Sequence, residues 1–393
     1  MEITQPFVIA ILLTDAILWG IWFGGLWSYR SAFASRLTES YIHVSISFAM
    51  PLALSSITYV IAIARQDFIR RCRVKFFKIS ILLSRVLYVL SSLIIYVNIF
   101  SGLELLYLFS ILLSIGYAIS CLAGIAWTDY VADNIHDSWK PRYIALDTSL
   151  STVGSLIGTL IAGMLFLENV DVLMYGKLFL IISMLFLADI PLILMLKELT
   201  IHNQIRLQRR FFERKSPLIL YIAIVILYIS INFSTSLVAP YIIYKLNGDE
   251  MWITIINGTG FIASLVMPIV WSETLKKIPS LTLARISIAI SAISNIVFPY
   301  LKTLELQIIR TFIASAGGIG IWMSLFSHII RDVDASQRIQ HSSTIFLIQS
   351  IAPAIAVNIG GVIADTLDAP ELVFKLSVLA FLTLPLIKSY EEK

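Results

Sequence analysis

Charge is what this chain has least of. Of its 393 residues only 14% are Asp, Glu, Lys or Arg, against about 25% in a soluble domain, and 58% are hydrophobic. Histidine and cysteine are scarce too, at five and two. No two histidines stand four positions apart and no Cys/His cluster occurs, so no metal centre is expected from ligand spacing. Cys72 sits in a short basic loop and Cys121 inside an apolar segment, which leaves no disulfide to expect. Gly317-Gly-Ile-Gly320 lacks the lysine and Ser/Thr of a phosphate loop and reads as a packing or bending point. With no convergent nucleophiles and little chain outside the apolar segments, neither an enzyme nor a cofactor is expected.

What is present is a long succession of apolar segments. A hydrocarbon core of about 30 Å takes about 20 apolar residues per helix. Twelve stretches qualify: Pro6–Ser28, Tyr41–Ala64, Val74–Phe100, Glu104–Trp127, Tyr143–Leu167, Met174–Leu196, Pro217–Leu246, Met251–Ser272, Leu281–Leu301, Glu305–Ile330, Ser342–Ala364 and Leu372–Ile387, the last being the shortest. The first is too long for a signal-peptide core and Met1–Gln5 lacks a positive charge, so it is expected to remain as a spanning helix. The expected partner is a lipid bilayer. The basic clusters flank membrane segments and belong to no recognition module, which argues against nucleic acid.

Basic residues crowd alternate loops. Arg65, Arg70, Arg71, Arg73, Lys75 and Lys78 surround the loop after the second segment. Lys276, Lys277 and Arg285 follow the eighth, and Lys197, Arg206, Arg209, Arg210, Arg214 and Lys215 lie after the sixth. The loop after the first segment holds only Arg30 and Arg36. By the positive-inside rule both termini are cytoplasmic, in a cell membrane. The longest connection divides the chain into a bundle at 1–196, a basic linker at 197–216 and a bundle at 217–393. That linker mixes charges with Ile201, Ile205, Leu207, Phe211 and Phe212, so it can tether the halves or lie along an anionic leaflet.

The halves echo each other. Asp67-Phe-Ile-Arg70-Arg71 after the second segment matches Glu273-Thr-Leu-Lys276-Lys277 after the eighth in its acid-x-x-base-base order. Asp137-Ser-Trp-Lys-Pro-Arg142 and Asp332-Val-Asp-Ala-Ser-Gln-Arg338 precede segments rich in small residues, among them Gly154, Gly158, Gly163, Ala352, Ala356, Gly360 and Gly361. Small residues let helix backbones approach where lipid supplies no hydrophobic drive. The fold class is therefore an all-α integral membrane protein, with twelve transmembrane helices in two six-helix bundles related by a pseudo-two-fold axis.

On these features the chain resembles the major facilitator superfamily over essentially its whole length. The family's loop signature runs roughly G-x-L-x-D-R-x-G-R-R. The matching window here is Ile63-Ala-Arg-Gln-Asp67-Phe-Ile-Arg-Arg71-Cys72, which keeps the acid and an arginine and lacks both glycines. The resemblance implies gating by Asp67 and Arg71, and by Glu273 and Lys277 in the second half. The drug-antiporter glycine-proline motif is incomplete, since no proline follows Gly154-Ser-Leu-Ile-Gly158.

Ionisable groups inside a membrane cost at least about 2.5–3.5 kcal/mol each and so call for a reason. Asp15 lies about 13 Å into the first segment at about 1.5 Å per residue, and shares a face with Trp19 and Trp22. The family's first helix lines the cavity, which makes Asp15 the candidate for proton coupling, against a structurally paired acid. Arg310, on another helix that lines the cavity by analogy, is a candidate for an anionic substrate group or the countercharge of Asp15. Arg85 and Asp189 read as an ion pair within the first half. Tyr107, Ser110, Ser114, Tyr117 and Cys121 recur every three or four residues along one stripe, which can line a wet cavity or join helices by hydrogen bonds. Tyr107, Ser114 and Tyr117 are taken as substrate-binding candidates with Trp19, Trp22, Arg310, Asn232 and Asn257. Asn232-Phe-Ser and Asn257-Gly-Thr fit the glycosylation pattern but fall within spans. His328 and His341 stand near inner helix ends and read as interfacial.

The resemblance implies a secondary active transporter for a small-molecule substrate, working by alternating access as a functional monomer. The competing expectation is a membrane sensor or assembly partner that retains the scaffold without transporting.

Overall fold

The computed structural model describes residues 5–135, 140–167, 170–197, 218–332 and 335–392. Among them, twelve helices are long and apolar enough to cross a membrane. They are α1 Pro6–Leu37, α2 Tyr41–Ala64, α3 Arg73–Val97, α4 Gly102–Trp127, α5 Ala145–Leu165, α6 Val172–Leu194, α7 Leu218–Tyr244, α8 Glu250–Leu275, α9 Ser280–Tyr300, α10 Leu304–His328, α11 Ser343–Thr366 and α12 Pro370–Tyr390. Helix is the response of a backbone that finds no water to bond. The protein is a multi-pass membrane protein, and many large apolar side chains stay exposed on its helices, such as Leu160, Met164 and Ile269.

The boundaries differ from the hydropathy reading mainly at α1. The helix does not end near Ser28. It tightens into a 3-10 turn at Trp27–Tyr29 and resumes as Arg30–Leu37, so Arg30 lies buried in a helix rather than in a loop. The first helix of the second half repeats this break, with a turn at Thr235–Leu237 before Val238–Tyr244. The last segment also lengthens. Pro370 opens α12 in the first turn, where its missing N–H costs nothing.

Two compact units form: Met1–Glu39 with Met50–Asn203, and Ser40–Ala49 with Gln204–Lys393. The expected linker at 197–216 lies outside the described residues apart from Lys197. In the first unit Val8, Leu12, Phe77, Ala126 and Ile193 share a buried core. A second layer is aromatic, with Phe33, Phe109, Tyr175 and Phe179 in mutual ring contact. Helices α1 and α5 meet backbone to backbone. A Cβ on Gly20 or Gly24 would stand 2.0 Å from the carbonyl oxygen of Ser151 or Ser155, and one on Gly154 or Gly158 would stand 2.2 Å from that of Ile17 or Ile21. Only glycine permits that approach.

In the second unit Leu220, Ile224, Ile288, Ile348 and Ala380 anchor the core. Phe298 and Phe374 stack 4.2 Å apart beneath Tyr241. Gly360 of α11 admits the carbonyl of Phe233 on α7 as closely as the glycines of α1 admit α5.

Acids serve as caps where loops carry few bases. Asp171 accepts from Met174 N at 2.7 Å at the start of α6, and Asp249 from Trp252 N at 3.0 Å at the start of α8. The opening turn of α2 clusters with the second unit, and Asp365 at the end of α11 caps it. Its carboxylate accepts from Ser40 Oγ and from the backbone N–H groups of Tyr41 at 2.7 Å and Ile42 at 3.0 Å. A carboxylate on otherwise unsatisfied N–H groups makes charge-assisted bonds in a favourable helix-end field. Asp365→Ala is expected to destabilise the protein by about 1–2 kcal/mol, read as a lower thermal midpoint in detergent, with Asp365→Asn intermediate.

At the opposite end of α7, Tyr221 Oη bonds His341 Nδ1 at 2.6 Å. Burial, and then the neighbouring His328, lower His341 below the ordinary value of 6.5. A histidine that is harder to protonate when folded costs stability as pH falls through its unfolded value. The thermal midpoint is expected to drop as pH falls below 6.5, and His341→Asn to flatten that dependence.

Candidate functional site

Inside the first unit three helices bring one cation to two acids. Arg85 of α3 donates from Nε to Asp189 Oδ2 at 3.0 Å and from Nη2 to the same oxygen at 2.8 Å. Its Nη2 also donates to Asp15 Oδ1 of α1 at 3.1 Å. Arg85 and Asp189 are buried, at 1% and 0% exposure, and Asp15 keeps 16%. The guanidinium lies flat on Phe186, its Cζ 3.4 Å from the ring centroid, and Nη1 reaches Ser84 Oγ at 3.4 Å. The expected Arg85–Asp189 pair is therefore present, and it includes Asp15. Asp15 meets a countercharge in Arg85 of its own unit, the task that was one of two alternatives for Arg310.

An aromatic wall continues from this triad. Trp22 is fully buried against Trp19, Trp27, Tyr88 and Phe186, with centroids between 4.5 and 5.8 Å. Its indole N–H has no acceptor among the described residues. Trp19 stays half-buried. Trp27 stacks on Tyr117 at 4.4 Å, and Arg30 lies over Trp27 at 3.3 Å. Arg30 escaped the sequence reading because a charge ends a hydropathy window. Asp147 was passed over although it stands within the fifth apolar segment. It is partly exposed and accepts from Tyr143 Oη at 3.2 Å.

The α4 stripe divides. Ser110 and Ser114 are buried and donate to the carbonyls of Leu106 and Ser110 on their own helix, at 2.7 and 2.5 Å. Both hydroxyls are therefore engaged within their own helix. Tyr107, Tyr117 and Cys121 remain partly exposed.

In the second unit Arg310 is held by the end of α9. Nε donates to the Ser294 carbonyl at 3.1 Å, Nη2 bonds Asn295 Oδ1, and the guanidinium faces Phe298 at 4.7 Å. Asn232 turns its amide onto the Tyr228 carbonyl at 2.8 Å, one turn back. Asn257 differs, since its buried Nδ2 has no partner among the described residues. Of the gating residues, the side chain of Asp67 lies outside the described residues. Arg71 and Lys277 are exposed, and Glu273 pairs with Lys276 within its own turn, both largely in solvent.

No family model matches the chain, and no curated protein does. Solved structures do. A D-xylose-proton symporter matches with a TM-score of 0.74 at 13% identity, over 98% of this chain and 97% of that one. A bacterial homologue of the iron transporter ferroportin, in an inward-facing state, matches at 0.69 and 13%, over 99% and 98%. A bacterial homologue of the human lysosomal transporter Spinster matches at 0.67 and 13%, over 98% and 95%. The chain shares the fold of these solved transporters over nearly its full length.

Removing one partner of a buried ion pair costs about 3–5 kcal/mol, because the remaining charge is stranded. Arg85→Gln is expected to lose at least that much, read as thermal unfolding in detergent. Adding Asp189→Asn to it is expected to restore part of the loss.

Proposed function

We propose that this protein is a secondary active transporter, moving a small organic solute across the cell membrane by alternating access and coupled to protons through Asp15. The observation that carries the reading is the triad. A carboxylate on α1 that keeps 16% exposure touches a buried guanidinium that is already engaged by a second acid. Protonation of Asp15 loosens its hold on Arg85, and deprotonation restores it, which gives a change in protonation something to move. A fold shared with a proton symporter supports the same reading.

The candidates for substrate contact are Trp19, Tyr107 and Tyr117 within the first unit, which are partly exposed, and, separately, Arg310 and Asn257 within the second. Aromatic faces suit an amphiphilic solute, and Arg310 suits a carboxylate or phosphate on it. Trp22 backs that surface from the core, and Asn232 orders its own helix. The bundles at 1–196 and 217–393, joined by the basic stretch between them, act as a functional monomer with cytoplasmic termini. Asp67, Arg71, Glu273 and Lys277 gate the cytoplasmic ends, and the lipid bilayer is the only other partner this scheme requires.

Reconstitution into liposomes with a panel of labelled organic solutes tests the scheme. Wild-type protein is expected to drive one of them with a pH gradient. Asp15→Asn is expected to abolish the driven flux and to leave counterflow exchange intact. Unchanged gradient-driven flux in that variant overturns the assignment.

A further inference from the structure

Arg85 and Arg310 both stand inside spanning helices, and the fold treats them oppositely. Arg85 meets two carboxylates, those of Asp15 and Asp189. Arg310 meets a backbone carbonyl, an amide oxygen and an aromatic ring, supplied by Ser294, Asn295 and Phe298. All three are neutral, and no acid pairs with Arg310 among the described residues. Neutral dipoles orient a cation but leave its charge in place, and a charge within a span calls for a countercharge.

The place of the Arg310 guanidinium is nonetheless fixed. Asn295 donates from Nδ2 to the Ile231 carbonyl of α7 at 3.4 Å, which turns its Oδ1 towards Arg310. Phe298 is buried and stacks on Phe374. Gln307, buried one turn before Arg310, donates from Nε2 to the carbonyls of Phe298 and Leu301, each at 3.0 Å, and so ties α10 to the end of α9. A guanidinium carries five N–H donors in a rigid fork. Arg310 spends its Nε hydrogen and one Nη2 hydrogen on α9. The edge between Nη1 and the other Nη2 hydrogen is left, on a side chain that stays partly exposed. Two parallel donors of that kind match the paired oxygens of a carboxylate or a phosphate. Arg310 stands about 9 Å along α10 from Leu304, a depth that admits an oxyanion either from a dissolved solute or from a lipid headgroup.

We propose that Arg310 is half of an ion pair whose other half is a ligand, and that the free edge of its guanidinium binds an oxyanion, carboxylate or phosphate, through two parallel hydrogen bonds. Ser294, Asn295 and Phe298 act as positioning groups, which aim that edge without neutralising it. The ligand supplies the countercharge that Asp15 and Asp189 supply to Arg85. Where the oxyanion belongs to the solute, the cargo is an organic anion rather than an uncharged molecule, and that part rests on the transport reading above. The ion pair itself does not.

Thermal unfolding of the full-length protein in a neutral detergent, at constant ionic strength, tests this directly. Benzoate and phenyl phosphate are titrated beside benzamide and phenol, their uncharged counterparts. In a second arm, phosphatidylglycerol is compared with diacylglycerol. Wild-type protein is expected to gain thermal stability from at least one oxyanion and none from its uncharged counterpart. Arg310→Met is expected to lose that response. Arg310→Lys, which keeps the charge but not the fork, is expected to keep the preference for anions while its apparent affinity falls by about 10-fold, the worth of one charge-assisted bond. The wild-type comparison and the lysine variant carry the test even if the methionine variant fails to fold. No shift with benzoate, phenyl phosphate or phosphatidylglycerol overturns the site. A response that survives Arg310→Met in full places the oxyanion elsewhere and also overturns it. A response to phosphatidylglycerol alone supports the ion pair with a lipid headgroup and overturns the anionic cargo. Oxyanion binding in protein that drives no solute across the membrane defeats only the transport reading. Driven flux of an uncharged solute, by protein without an oxyanion response, defeats only the Arg310 site.

Discussion

A charge surrounded by hydrocarbon must be neutralised within a few ångströms, and Arg85 is where this molecule meets that demand most strictly. Its three donor nitrogens are spent on two acids and a serine, and its flat face rests on Phe186. Three helices of the first unit are thereby fixed in depth and rotation, since α1, α3 and α6 each contribute one charge. The tryptophans and tyrosines beside it complete a low-dielectric surround, which strengthens every one of these bonds.

The same demand governs the helix ends. Each N-terminus leaves N–H groups unsatisfied, and here acids meet them: Asp171 and Asp249 within their own helices, and Asp365 on the opening of α2. At the other polarity, Lys78 donates to the Leu194 carbonyl at the end of α6, at 2.7 Å.

The twelve spans were legible because hydropathy over about 20 residues is a property of composition, and composition is what a sequence states outright. The close approach of α5 was legible in Gly154 and Gly158 for the same reason. What a charge does was not legible. Arg30 read as a loop residue because windows end at charges, whereas the helix resumes beyond a 3-10 turn and buries it. Asp147 passed unnoticed at the start of an otherwise apolar segment. Spacing placed Ser110 and Ser114 on one face correctly, but could not show that their hydroxyls close onto their own backbone. Nor did spacing show that α9 engages part of the Arg310 guanidinium. In each case the deciding contact comes from a different turn or helix, and no local pattern encodes it.

The glycines that join α1 to α5 have a consequence for how this molecule can vary. At Gly20, Gly24, Gly154 and Gly158 the neighbouring carbonyl occupies the space of a side chain, so these positions admit one residue type. On the lipid-facing sides any apolar residue of roughly suitable size meets the requirement. A lineage under such uneven restraint can exchange most of its letters and keep its shape. The solved structures that share this fold over nearly the full length do so at 12–14% identity, so the fold asks for few particular letters.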